Sequence, residues 1–140
     1  MNTATKTVTA NELFRMPDDG FRYELVDGEL IQMTPSGGEH GAVVINLSSP
    51  LHQHVKVNKL GVVCGAETGY KLRSNPDTVL APDISFVSAE RIPASGIPQT
   101  FWTQPPDLVL RFINTYRIRR RALSTANLVG ARTILQDRWS

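Results

Sequence analysis

The stretch RYELVDGELIQM, residues 22–33, contains two runs of alternating apolar and polar residues on either side of Asp27-Gly28. An Asp-Gly pair is typical of a two-residue hairpin turn, because both turn positions need a positive φ. Strands with this alternation bury one face and leave the other face polar. The sequence therefore predicts a β-hairpin here, with Glu24 on its first strand and Glu29 on its second.

Helical patterns lie on both sides of the hairpin. Residues 9–12, TANE, fit a capping box, in which a hydroxyl and a carboxylate each satisfy a free amide at the helix start. After the loop PSGG, apolar residues recur every three or four positions from Glu39 toward Leu60, which predicts a long helix. Pro50 lies inside this pattern, so we expect it to kink or divide the helix.

Several strands follow the long helix. Residues 62–73 predict one or two strands, residues 79–88 (VLAPDISFVS) another, and residues 107–110 (DLVL) a further one. Residues 92–106 hold four prolines and predict a loop. A helix, a hairpin, a long helix and then several strands indicate a mixed β-sheet with helices packed on it, an α/β or α+β layer fold.

Length and composition favour an ordinary globular protein. With 140 residues, 41% of them hydrophobic and 20% charged, we expect residues 1–140 to form a single domain. There is no run of eighteen apolar residues and no charged-then-apolar leader, so we expect neither a membrane span nor export, and a cytoplasmic location. The single Cys64 excludes an internal disulfide and a cysteine-based zinc site.

Charge is distributed unevenly along the chain. Residues 1–110 hold eight Lys and Arg against twelve Asp and Glu, whereas residues 111–140 hold seven Arg against one Asp. This basic C-terminal part is divergent in composition and includes Arg117, Arg119, Arg120 and Arg121. Such an asymmetry indicates either a nucleic-acid-binding arm or a tail that is foreign to the rest of the domain.

Asp83 is the most informative single position. A carboxylate flanked by Leu80, Ile84 and Phe86 must be solvated, paired or bound to a cation, because burying a bare charge is costly. Strict alternation along the strand favours a side chain that points to solvent. A second carboxylate beside it would favour Mg²⁺, which takes one or two carboxylate ligands plus waters.

Five segments together resemble a known family. RYELVDGEL, the loop leading to His40, LGVVCGAETGYKL, TVLAPDISFV and PPDLVL occur in the order and spacing of the Uma-two family of restriction endonucleases, over roughly residues 8–110. The resemblance implies a PD-(D/E)XK nuclease-like α/β fold, a restriction-endonuclease-like mixed β-sheet flanked by helices. The implied activity is Mg²⁺-dependent cleavage of phosphodiester bonds in DNA.

The resemblance also implies a metal site that this chain only half retains. In the family an aspartate and a glutamate of a later strand, which typically reads LVLEVLSP, hold the metal, and a lysine stabilises developing charge. Here Pro82-Asp83 matches the first half, but Arg111 occupies the glutamate position and no lysine follows Lys71. Because an arginine is permanently protonated, we expect Arg111 to pair with Asp83, exclude the metal and leave the chain inactive.

Two other residues join Asp83 as candidate catalytic residues through the resemblance. His40 lies where the family often has a histidine near a helix start, although a capping or surface role is an open alternative. Glu24 matches the early glutamate that such nuclease folds sometimes recruit to the metal, although the bland interpretation of Glu24 and Glu29 is that they are edge charges. Asp83 is the metal-ligand candidate.

The break at Arg111 has a further interpretation. With suitable codons, a one-base shift over residues 111–123 gives V-L-S-T-P-T-E-S-A-A-E-L, which resembles the continuation of the family after its glutamate. Our hypothesis is that residues from 111 to the mid-120s are a frameshifted window, from a decayed gene. The functional alternative is a non-catalytic DNA-binding or remnant domain that uses the basic run. Nucleases that cut both strands are often dimers, so a homodimer is a further expectation.

Overall fold

The computed structural model of the 140-residue chain describes residues 7–112 and the backbone of residues 132–134. In chain order the elements are α1 (Ala10–Phe14), β1 (Arg22–Val26), β2 (Glu29–Met33), α2 (Gly38–Val57), β3 (Gly61–Cys64), β4 (Tyr70–Arg73), β5 (Thr78–Leu80), β6 (Ile84–Ser88), a 3₁₀ turn (Ala89–Arg91), β7 (Leu108–Leu110) and β8 (Arg132–Ile134).

The described strands form two four-stranded sheets. The first has the order β2-β1-β5-β4, and all of its neighbouring strands are antiparallel. The second has the order β3-β6-β7-β8 and is mixed, because β7 and β8 run parallel while the other pairs are antiparallel. The predicted α/β fold with a mixed sheet is confirmed, and the structure adds the second, antiparallel sheet.

The hairpin forms as its turn residues predict. Asp27 and Gly28 have φ values of 49° and 80°, and the register pairs Val26 with Glu29. At Gly28 a Cβ would come within 2.7 Å of the Thr7 side chain, so this position needs glycine for space as well as for its backbone conformation. The inner face of the hairpin buries Leu25 against other core residues, Ala10 and Val79.

Helix α1 begins with the predicted capping box. The Glu12 amide donates to Thr9 Oγ1 at 3.2 Å, and the Thr9 amide donates to Glu12 Oε2 at 2.8 Å. Asp77 also supports this helix, since its carboxylate accepts the Ala10 amide at 2.8 Å. The backbone carbonyl of Asp77 accepts the amide of Gly28, also at 2.8 Å, so one residue ties the helix to the hairpin turn.

Helix α2 runs undivided from Gly38 to Val57 with Pro50 inside it, so of the two predicted effects, a kink or a division, the division is wrong. Pro50 and Asn46 both lie on the exposed side, where water can satisfy the carbonyl that a proline leaves without an intrahelical partner. The helix packs on β3 and buries Val55. Within the described residues, no helix is both long and apolar enough to cross a membrane.

The strand predicted over residues 79–88 is broken in the middle, which corrects the placement of Asp83 inside a strand. β5 ends at Leu80 in the first sheet, and β6 begins at Ile84 in the second. Pro82 lies between them and has no amide hydrogen, so it cannot continue a strand ladder. Asp83 therefore lies at the crossing between the two sheets.

The start of β7 is fixed by hydrogen bonds to the end of β6. Asp107 accepts the Ser88 amide at 2.8 Å and the Arg91 guanidinium at 2.6 Å. Burial raises the pKa of Asp107, but these two donors outweigh burial and leave the pKa below its ordinary value. In the proline-rich loop the buried Trp102 stacks on Tyr70, with ring centroids 6.2 Å apart, and so packs the loop against β4.

Candidate functional site

A cleft of about 510 Å³ opens where the two sheets meet. Its walls come from β1, the N-terminus of α2, the crossing between β5 and β6, and the two residues that follow β7. All three predicted catalytic residues, Glu24, His40 and Asp83, line this cleft together with Arg111 and Phe112. The structure therefore brings together side chains that are far apart in the sequence.

Asp83 is paired with two donors. Its side chain is 18% exposed, with Oδ1 lying 3.1 Å from His40 Nε2. The backbone amide of Phe112 donates to Oδ2 at 2.8 Å. The alternative that Asp83 points freely to solvent is therefore wrong, because its position at the sheet crossing turns the carboxylate into the cleft.

Glu24 is the second carboxylate of the cleft. Its side chain is 7% exposed, and Oε1 accepts both the Ala81 amide at 2.9 Å and Arg111 Nη2 at 2.6 Å. The interpretation of Glu24 as an edge charge is wrong, because β1 lies between β2 and β5 within the first sheet. That interpretation does hold for Glu29, which is exposed on β2 at the edge.

The sequence predicted that Arg111 pairs with Asp83, and this is wrong. Arg111 pairs with Glu24 instead. The physical reason is that a carboxylate as buried as Glu24 has a strong requirement for a cationic partner. Asp83 already has its two donors from His40 and the Phe112 amide. The Arg111 side chain, 29% exposed, joins the end of β7 in one sheet to β1 in the other.

His40 acts neither as a helix cap nor as a free surface residue. The N-cap of α2 is Gly37, and His40 lies in the first turn behind it. Its ring contacts Asp83 on one side and meets the ring of Phe112 edge-on, with centroids 5.7 Å apart. The capping and surface alternatives for His40 are therefore both wrong.

Phe112 could not be picked out from the sequence. Its contribution to the cleft includes a backbone amide, and no side-chain pattern discloses which amide will face a carboxylate. An ion pair between Arg22 and Glu67 at 2.7 Å lies on another wall of the cleft and was also missed, because both residues belong to segments that meet only in the folded chain.

The described side chains do not fit Mg²⁺. Mg²⁺ is held by carboxylate oxygens and waters, but the Arg111 guanidinium lies 2.6 Å from Glu24 Oε1, where its positive charge opposes a cation, and Arg111 is itself only a donor. In the part of the chain that the structure describes, no group of three or more His, Cys, Asp or Glu is placed to hold a metal ion. Where the resemblance implied a metal site, the cleft thus holds two carboxylates that are each bound by other residues of the chain, Glu24 by Arg111 and Asp83 by His40.

The four arginines predicted to bind nucleic acid, Arg117, Arg119, Arg120 and Arg121, lie outside the described residues. Their role in DNA binding stays a prediction.

A fold with this cleft between a mixed and an antiparallel sheet is that of a restriction-endonuclease-like protein, and the comparison with protein families agrees. The model of the Uma2 family, described as "Putative restriction endonuclease", matches residues 10–117, which is more than half of the chain. The chain belongs to this family.

A solved structure shows the same fold. It is described as a putative nuclease belonging to DUF820 from Anabaena variabilis ATCC 29413, and it matches with a TM-score of 0.65 and 22% sequence identity. The match covers 79% of this chain but 60% of that one, so the chain spans about three fifths of the length of that protein. No curated protein matches the chain.

Proposed function

We propose that this chain derives from a Mg²⁺-dependent DNA endonuclease and that, in its present form, it does not cleave DNA. The observation that carries the proposal is the contact between Arg111 Nη2 and Glu24 Oε1 at 2.6 Å. Membership of a nuclease family supports DNA as the ligand. The arginine in place of a glutamate after β7 supports the loss of cleavage.

The loss follows from what the cleft residues can and cannot do. Metal-dependent phosphodiester cleavage needs a cation that lowers the pKa of a water and counters the charge that develops on the phosphate. A guanidinium can bind a phosphate, but it cannot ligate a cation or take a proton.

Plasmid cleavage tests this proposal. The full chain is incubated with supercoiled plasmid and Mg²⁺ or Mn²⁺, with Asp83→Ala and a chelator as controls. We expect no nicking above the background that Asp83→Ala shows. Metal-dependent nicking by the parent that disappears in Asp83→Ala would overturn the claim of inactivity.

A second candidate function is a non-catalytic DNA-binding domain. It is favoured by the seven arginines and single aspartate of residues 111–140, against the acidic balance of residues 1–110. Binding through arginine–phosphate contacts weakens steeply as salt rises, because bound counterions are released. The homodimer, which was expected because nucleases that cut both strands are often dimers, stays a prediction.

Gel shifts at several salt concentrations test the binding function. We expect a retarded complex without cleavage, and a weaker salt dependence when Arg117, Arg119, Arg120 and Arg121 are all replaced by Ala. Arg73→Ala and Arg15→Ala serve as charge controls from the acidic part of the chain. Equal salt dependence for the quadruple variant and the parent would remove the basic run from the DNA interface.

The frameshift hypothesis explains why the family pattern stops at Arg111. It is supported by β8, which pairs with β7 and so belongs to the sheet in the unshifted reading frame. The family match ends at residue 117, inside the window from residue 111 to the mid-120s. The encoding DNA, translated in three frames, decides it. A shifted frame without a Glu-Val-Leu-Ser-like strand would show the hypothesis to be wrong.

A further inference from the structure

We propose that Arg111 and Phe112, named the blocking pair, keep divalent cations from binding to the two carboxylates of the cleft. The guanidinium of Arg111 takes the place of a cation on Glu24, and the amide of Phe112 takes an oxygen of Asp83. This inference rests on the proposed function and deepens it. The two carboxylates are present in the cleft, but two consecutive residues of the chain contact them.

The position of the blocking pair follows from the pairing of β7 with β6. Leu110 lies opposite Ile84 in an antiparallel register. Continuing the chain in that direction brings the next two residues alongside Pro82 and Asp83, where β6 has not yet begun. The backbone of residue 112 can therefore reach Asp83 while the side chain of residue 111 extends to the other sheet.

Of the two residues of the blocking pair, Arg111 should have the larger effect on cation binding, because its partner Glu24 is buried. Glu24 is buried and its Oε1 is shared between the Ala81 amide and the guanidinium, so removal of the guanidinium leaves a charged carboxylate with one neutral donor. Such a carboxylate must be neutralised by a proton or by another cation. A divalent cation bound there with Arg111 in place would be repelled by the nearby positive charge.

Phe112 contacts the other carboxylate, Asp83. Its amide holds Asp83 Oδ2 at 2.8 Å, and its ring rests edge-on against His40, which contacts Asp83 Oδ1. Both oxygens of Asp83 are thus engaged. A cation arriving at Asp83 therefore competes with these two donors for the carboxylate charge.

The cleft offers a matched control for Arg111. Arg22 lines the same cleft and makes an equally short ion pair, 2.7 Å, but its partner is the exposed Glu67. Arg22→Ala removes the same charge from the cleft without freeing a buried carboxylate. The blocking pair predicts different results for the two substitutions, whereas a general effect of cleft charge predicts the same result.

Mn²⁺ titration of the full-length chain tests the inference, by calorimetry and by the electron paramagnetic resonance signal of free Mn²⁺. We expect Arg111→Ala to bind one Mn²⁺ at least about tenfold more tightly than the parent. Arg22→Ala should bind no more tightly than the parent. Adding Glu24→Gln to Arg111→Ala should abolish the gain.

Three results would overturn the blocking pair. These are no gain in Mn²⁺ affinity in Arg111→Ala, an equal gain in Arg22→Ala, or a gain in Arg111→Ala that persists when Glu24→Gln is added. If Arg111→Ala does not fold, Arg111→Gln takes its place, because it keeps a donor near Glu24 without the charge. Failure of the proposed function is separate, since it appears as metal-dependent nicking by the parent chain.

Discussion

The hairpin of residues 22–33 and the blocking pair form two sides of one cleft, but they are built in different ways. The hairpin follows from its own turn and alternation, with Leu25 in the core and its neighbour Glu24 turned into the cleft. The blocking pair has no local pattern and is held by partners on other elements. The fold therefore depends on the hairpin side, whereas the chemistry of the cleft depends on two residues at a strand end.

The largest effect is expected on the hairpin side. Leu25 has no exposed surface, so Leu25→Ala should lower the free energy of unfolding by about 3 kcal/mol, through lost burial and the cavity left behind. Urea denaturation measures the change, and Ile45→Ala, at a position that is 65% exposed, should stay within about 0.5 kcal/mol of the parent. Equal effects at both positions would mean that the hairpin does not anchor the core.

A smaller loss is expected on the opposite side of the cleft. Arg111→Ala should cost about 2 kcal/mol in the absence of metal, because it leaves the buried Glu24 without its cationic partner. Arg22→Ala should cost less than about 1 kcal/mol, since both members of that pair are exposed. The same urea experiment measures both, and a cost for Arg22→Ala as large as that for Arg111→Ala would contradict the distinction.

The contact between His40 and Asp83 should contribute less again. His40→Ala should lower the free energy of unfolding by about 1 kcal/mol, because Asp83 keeps the Phe112 amide and some access to water. A double-mutant cycle with Asp83→Asn isolates the coupling between the two side chains. His52→Ala, on the exposed side of α2, is the control, and no measurable coupling would show that this contact adds nothing to stability.

The smallest expected effect on the free energy of unfolding comes from Asp77, which supports the hairpin turn, and this effect depends on pH. The hydrogen bond from the Ala10 amide lowers the pKa of Asp77 from 3.8; burial opposes this shift, and Lys71 adds to it. A carboxyl whose pKa is lower in the folded state contributes stability above its unfolded pKa, and that stability is lost as pH falls through the folded pKa. Between about pH 5 and about pH 2 the parent should therefore lose more stability than Asp77→Asn. Parallel pH profiles for the two proteins would contradict this assignment.

Local chemistry made much of this molecule predictable. The Asp27-Gly28 turn, the capping box at Thr9 and the long helix could be inferred because neighbouring residues determine each of them. The sheet crossing at Pro82 was harder to predict, because a proline beside a β-type run is compatible with a strand edge or with a break. The division into two sheets follows from that break.

The candidate site was only partly predictable, for a related reason. The resemblance indicated Glu24, His40 and Asp83, and the structure places all three in one cleft. The partner of Arg111 could not be inferred, because its choice between two carboxylates depends on their relative burial in different sheets. The role of the Phe112 amide could not be inferred from the sequence either, because every residue except proline carries such a donor.

The most direct test of the central claim, that Arg111 stands where the family would hold a metal, is a crystal structure of the full chain grown with MnCl₂. Anomalous scattering from manganese locates the ion independently of the refined side chains. We expect no anomalous peak between Glu24 and Asp83, with the Arg111 guanidinium in contact with Glu24. A manganese peak ligated by both carboxylates, with Arg111 displaced, would contradict it.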